Sequence, residues 1–172
     1  MTTLLSFSGS LRADSFNTRV LHALPSLAPE GTTIAHFDIS SLPLYNQDLD
    51  AETVPDIVAA LRAAVAEADG VIIATPEYNH SYSAVTKNLI DWASRPFMKG
   101  PIIGKKSMVI CVTPGPAGGV HGLEATAEVL TLLAGTVVAQ VTAGGIHEKL
   151  DATNTVTDAE LADRLRAGLA AF

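Results

Sequence analysis

Cysteine, charge and aromatic side chains are all scarce in this sequence. Its single cysteine, Cys111, excludes an intrachain disulfide and any CxxC redox or metal motif. Charged residues make up only 17% of the chain, with 11 Lys plus Arg against 18 Asp plus Glu, a net charge of -7. A phosphate polymer is repelled by such a surface, so no nucleic-acid partner is expected. No apolar run approaches the ~20 residues that a membrane-spanning helix needs. No basic segment precedes a long apolar stretch near the N-terminus, so no secretion signal and no membrane association is expected, and the expected location is cytoplasmic. The histidines (His22, His36, His80, His121 and His147) form no HxxxH or HExxH pair, which argues against a metal site. GxGxxG, GxxxxGK[ST] and GxSxG are missing too, which disfavours a dinucleotide Rossmann site, a nucleotide triphosphatase and a hydrolase elbow.

What is present is apolar. Hydrophobic residues make up 48% of the 172. That length suits a single domain over residues 1–172, with ~70% of the unfolded surface buried. Low charge with many Ala and Val also points to a surface partly covered by a partner subunit.

Apolar strand candidates at residues 4–8, 32–37, 70–75, 107–113 and 136–141 alternate with helix candidates at 16–27, 54–68, 83–94, 123–133 and 158–171. The strands are almost wholly apolar, the pattern of a parallel sheet covered on both faces. The expected fold class is α/β: a three-layer flavodoxin-like sandwich with a five-stranded parallel sheet in the order 2-1-3-4-5. Ligands in such sheets bind beyond the carboxyl ends of the strands at the switch point, so the loops after strands one, three and four are the candidate site.

The first loop runs Ser8-Gly9-Ser10-Leu11-Arg12-Ala13-Asp14-Ser15-Phe16-Asn17 and ends at a helix start. Unpaired N–H groups and a positive dipole end make a helix start an anion site. Ser10 and Ser15 add hydroxyl donors, Asn17 an amide, and Arg12 a charged donor fork suited to a terminal phosphate. Asp14 is expected to face solvent. On the loop alone, a plain turn with Ser15 as helix cap fits equally well. After strand three, Thr75-Pro76-Glu77-Tyr78-Asn79-His80 offers backbone donors and acceptors with an aromatic neighbour, as a flat polar heterocycle requires. After strand four, Thr113-Pro114-Gly115 is small enough for close backbone approach. Cys111 is expected to be an inert core thiol, and Lys87 with Asp91 an i,i+4 ion pair.

Gly9-Ser10-Leu11-Arg12 with Ser15 and Asn17, then Thr75-Pro76-Glu77-Tyr78-Asn79, then Lys87-Asn88-Leu89-Ile90-Asp91-Trp92, together resemble the NADPH-dependent FMN reductase family, the flavodoxin-like quinone, chromate and azo-dye reductases. Pro43-Leu44-Tyr45 with Asp48 also resembles the family's segment after strand two. The resemblance implies non-covalent FMN, NADPH or NADH as reductant, and ping-pong hydride transfer to a small acceptor such as a quinone, azo compound, metal oxyanion or free flavin. By position it assigns Ser10, Arg12, Ser15 and Asn17 to the FMN phosphate, with Phe16 beside them. Pro76, Glu77, Tyr78 and Asn79 go to the flavin ring, and Thr113 and Gly115 to its other side. No side chain is assigned an acid–base role, so no catalytic residue is named. The resemblance further implies a homodimer or homotetramer built partly by the helix carrying Lys87, Asp91 and Trp92. The alternative is a flavodoxin-type electron carrier that does not oxidise NAD(P)H. Departures from the family pattern are Ser83-Ala84 where Pro-Gly is usual, and His121 where Arg is usual.

Overall fold

A computed structural model describes residues 1–51 and 53–172. The chain forms β1 (Thr2–Ser8), α1 (Phe16–Ala23), β2 (Thr32–His36), α2 (Asp56–Glu67), β3 (Gly70–Ala74), a short hairpin β4 (Glu77–Tyr78) and β5 (Ser81–Tyr82), α3 (Ala84–Ala93), β6 (Lys106–Val112), α4 (Val120–Leu132), β7 (Thr136–Ala143) and α5 (Ala159–Ala170). Five parallel strands pair in the order β2-β1-β3-β6-β7. With the hairpin set aside this is 2-1-3-4-5, the flavodoxin-like order.

Alternation along the strands explains the layers. Phe7, Val71, Ile73 and Val109 pack with α2, α3 and α4 through Leu61, Leu89, Trp92 and Leu123. Leu4, Ile72, Met108 and Ile110 face the opposite side, against Leu21 of α1 and Leu165 of α5. Successive strand residues point to opposite faces, so a strand covered on both sides must be apolar at every position. β3 is buried along its whole length, whereas the edge strand β2 is largely exposed.

Several boundaries differ from the sequence reading, and two of the shifts have a clear cause. The first helix is shorter, because Pro25 lacks an N–H and the chain tightens into a 3-10 turn over Leu24–Ser26. The helix expected at 123–133 starts at Val120, after Gly119 in the left-handed region (φ 78°). The hairpin after β3 was not foreseen as regular structure. Its two turn residues, Asn79 and His80, both have positive φ (52° and 59°), the sign pattern of a type I′ turn.

Candidate functional site

The loops after β1, β3 and β6 meet in a cleft of ≈ 370 Å³ at the carboxyl ends of the strands. Ser10, Arg12, Ser15, Phe16 and Asn17 line one side; Pro76, Glu77, Tyr78 and Thr113 line the other. Asn79 and Gly115, also expected there, lie off it. Asn79 is at the exposed hairpin tip, and the Gly115 carbonyl is turned toward Thr113 Oγ1 and the Gly145 N–H. Val112 and Pro114 complete the wall. The signal for both was available: Val112 closes a strand that is apolar from Met108 onward, and Pro114 stands in the loop that follows it.

At the start of α1, Ser15 Oγ accepts from the Thr18 N–H (3.4 Å), which leaves its own proton free. The N–H groups of Phe16 and Asn17, the first two helical positions, have no partner among the described residues. Arg12 stands beside them, anchored by one donor to the Asp14 carbonyl (2.6 Å), with its guanidinium 6.0 Å from the centre of the Phe16 ring. Asp14 is exposed and borders a separate depression with Arg19 and His22. Orphan helix N–H groups, two hydroxyls and one guanidinium form a donor set that fits a phosphomonoester.

Asn17 does something its sequence context did not reveal. Its side chain is almost fully buried, at 4% exposure, and clamps Val112: Nδ2 donates to the Val112 carbonyl and Oδ1 accepts from its N–H, both at 3.1 Å. The amide therefore ties α1 to the end of β6 and leaves the backbone N–H as the group facing the cleft.

On the other wall, α4 begins without a side-chain cap of its own. Glu77 supplies one from the hairpin, its Oε2 accepting from the Gly122 N–H at 3.0 Å. An anion suits a helix N-terminus, so the carboxylate fixes the hairpin against α4. The fit is close: a Cβ on Gly122 would stand 3.1 Å from Glu77 Cα. His121, where the family pattern has Arg, stacks its ring on His80 with centroids 4.5 Å apart and planes 9° apart. Cys111 of β6 is buried, its thiol pushed up to about 12 by burial and, secondarily, by the Glu77 charge.

The Ser83 departure has a structural role. Ser83 caps α3 by accepting from the Thr86 N–H (3.1 Å), and its hydroxyl donates to the Gly9 carbonyl (2.6 Å). Thr86 Oγ1 donates to Thr75 Oγ1 (2.9 Å), which donates to the Pro76 carbonyl (3.1 Å). This buried chain of hydroxyls joins the loops after β1 and β3, the two walls of the cleft. Ala84 lies elsewhere, in a depression with Leu44 and Tyr45, so its methyl does not crowd the cleft.

The Lys87–Asp91 ion pair forms at 2.7 Å. Trp92 is fully buried and builds no outer surface. Its Nε1 donates to the Pro43 carbonyl (2.8 Å), while Asn88 donates to the same carbonyl (2.9 Å) and accepts from the Tyr45 N–H (2.8 Å). The motif on α3 thus holds the segment after β2 in place.

The family model for NADPH-dependent FMN reductases matches residues 2–148. A 2-hydroxy-1,4-benzoquinone reductase from a Burkholderia species is 46% identical over 110 residues, covering 64% of this chain and 60% of that protein. The chain therefore spans less than two thirds of that relative. A quinone reductase from Escherichia coli K12 is 36% identical over 98% of this chain and 92% of its own length. Among solved structures, FerB, a flavoenzyme NAD(P)H:(acceptor) oxidoreductase from Paracoccus denitrificans, superposes with a TM-score of 0.85 at 34% identity, covering 99% of this chain and 94% of FerB. Fold, site geometry and these matches agree: the chain belongs to the NADPH-dependent FMN reductase family.

Proposed function

We propose that the chain is an NAD(P)H-dependent oxidoreductase that holds FMN in this cleft and reduces small acceptors of the quinone class. The observation that carries the reading is the pairing of a phosphate-type donor set at the start of α1 with a cleft walled by two further loops. When bound, FMN supplies two-electron hydride chemistry that no side chain here could provide.

The residues bind and orient. Arg12, the Phe16 and Asn17 N–H groups and the Ser10 and Ser15 hydroxyls hold the phosphate. Pro76, Tyr78, Thr113 and Pro114 confine the ring, and Val112 closes the end. Glu77 acts through Gly122 as a strut for the hairpin. Phe16 shields the guanidinium side. Asn79 shapes the hairpin turn, and the Gly115 carbonyl braces the loop after β6 by accepting from Thr113 Oγ1 and the Gly145 N–H. The acceptor and the nicotinamide use the same open face in turn.

The protein is further proposed to self-associate, as homodimer or homotetramer, in the cytoplasm. Leu44 (78% exposed), Phe97 (77%) and Met98 (54%) lie exposed, and the Arg95 guanidinium over the Tyr45 ring (5.3 Å) links the segments that carry them. No helix among the described residues is long and apolar enough to cross a membrane.

The test is a flavin titration of apo-protein followed by NADPH and NADH oxidation with a benzoquinone. Arg12→Ala should weaken FMN binding by about 10- to 100-fold, from about 1.5–3 kcal/mol per charged hydrogen bond, with the melting curve unchanged. Unchanged affinity removes the phosphate assignment. Tight flavin binding without nucleotide oxidation leaves only the electron-carrier alternative.

A further inference from the structure

Ser10 and Arg12 form a ridge between two depressions. The cleft lies on one side. On the other is a second hollow of ≈ 250 Å³, between the loop after β1 and the end of β2. Its wall carries Leu11, Arg12, His36, Phe37, Asp38 and Ile39. Leu11 is 59% exposed and belongs to neither core cluster. Asp38 is held in the ionised form, below the usual carboxylate range, by hydrogen bonds from the Ser40 N–H (2.9 Å) and hydroxyl (3.0 Å). Each of its oxygens keeps a lone pair for a further donor. Arg12 spends one donor on Asp14 and retains the rest of its fork.

We propose that this second hollow receives the adenylate half of a flavin dinucleotide, so that the chain takes FAD as well as FMN, with the pyrophosphate crossing the Ser10–Arg12 ridge. The inference rests on the flavin reading above. Each part of the hollow matches one part of the ligand. Arg12, shared by both depressions, faces the two phosphates. The Asp38 carboxylate accepts from ribose hydroxyls, as an acidic residue at the end of the second strand does in other nucleotide-binding α/β sheets. Leu11, with Phe37 and Ile39 behind it, offers the apolar contact that a purine face buries. His36, at the end of β2, has its pKa lowered by partial desolvation and by the neighbouring His22.

The test titrates apo-protein with FMN, FAD and riboflavin, following quenching of flavin fluorescence, for the wild type and for Leu11→Ala/Asp38→Ala. The wild type should bind FAD at least as tightly as FMN. The double variant should lose about tenfold in FAD affinity, the loss of one hydrogen bond and one apolar contact, and keep its FMN affinity within about twofold. FMN in the same variant reports whether the cleft is intact. Wild-type binding of FMN tenfold or more tighter than FAD overturns the proposal, as does equal weakening of both flavins in the variant. Failure of every flavin to bind sinks the FMN reading itself, a distinguishable result.

Discussion

Gly9 is the position where one methyl group should cost both stability and ligand affinity. It sits between β1 and the loop that leads into α1, against the hydroxyl chain of Ser83, Thr86 and Thr75. A Cβ built at Gly9 falls far inside the 3.0 Å that real Cβ atoms keep, against Thr86 Oγ1, and 3.2 Å from both Ser83 Oγ and Thr75 Cα. The space cannot open cheaply. Thr86 and Ser83 are buried (0% and 3% exposed) and hydrogen-bonded to Thr75 and to the Gly9 carbonyl, with the Thr86 N–H donating to Ser83 Oγ. Either the loop moves, breaking the Ser83–Gly9 bond, or Thr86 rotates away from Thr75. Overpacking of this kind costs about 1–3 kcal/mol, and a broken buried hydrogen bond adds about 1 kcal/mol. Gly9→Ala should therefore lower the thermal midpoint of the apo-protein by about 4–16 °C, taking about 2–4 °C per kcal/mol for a chain of this size. Because the loop leads into the α1 N–H groups, FMN affinity should fall with it, by about tenfold or more. The discriminating assay is a double-mutant cycle, read by circular dichroism melts and flavin titration. Thr86→Ala removes the group that the new methyl meets, so Gly9→Ala should cost less in that background than in the wild type. Additive effects, or a Gly9→Ala protein with wild-type midpoint and affinity, would refute the steric account.

Asn17→Ala leaves the Val112 N–H and carbonyl without their side-chain partner, so unfolding free energy should drop by about 2–5 kcal/mol from two buried hydrogen bonds; urea melts with a shift under 0.5 kcal/mol, the level of ordinary surface substitutions, would remove the clamp. His36 has a folded-state pKa below its ordinary value, chiefly through burial. The unfolded chain therefore binds its proton first, and stability is present above about pH 6.5 and lost as pH falls toward the folded value. His36→Gln should flatten that acid slope between pH 7.5 and 5.5, where urea midpoints are compared, and an unchanged slope contradicts the assignment. Cys111, pushed up to about 12, should resist iodoacetamide in the native protein at pH 8 and react once denaturant exposes it; rapid native alkylation would show the thiol to be reachable.

The sequence by itself determined the sheet and its order. Strands such as Gly70–Ala74 are apolar at every position because helices cover both faces, and burial on both faces leaves no polar position to disguise the pattern. It also placed the cleft, since a parallel sheet offers ligands one end, and it placed Arg12 and the start of α1 on one wall of that cleft. Local signals set these features, and local signals survive in a single chain. Only the tertiary structure decided what the polar side chains do. Asn17 looked like an outward donor but bonds to Val112, 95 residues away. Glu77 caps a helix 45 residues further on, and Ser83 reaches back 74 residues to Gly9. Hydrogen bonds of that separation depend on where the sheet brings chain segments together. No periodicity or spacing records them, because a polar side chain is chosen for the partner it meets in space rather than for its neighbours along the chain.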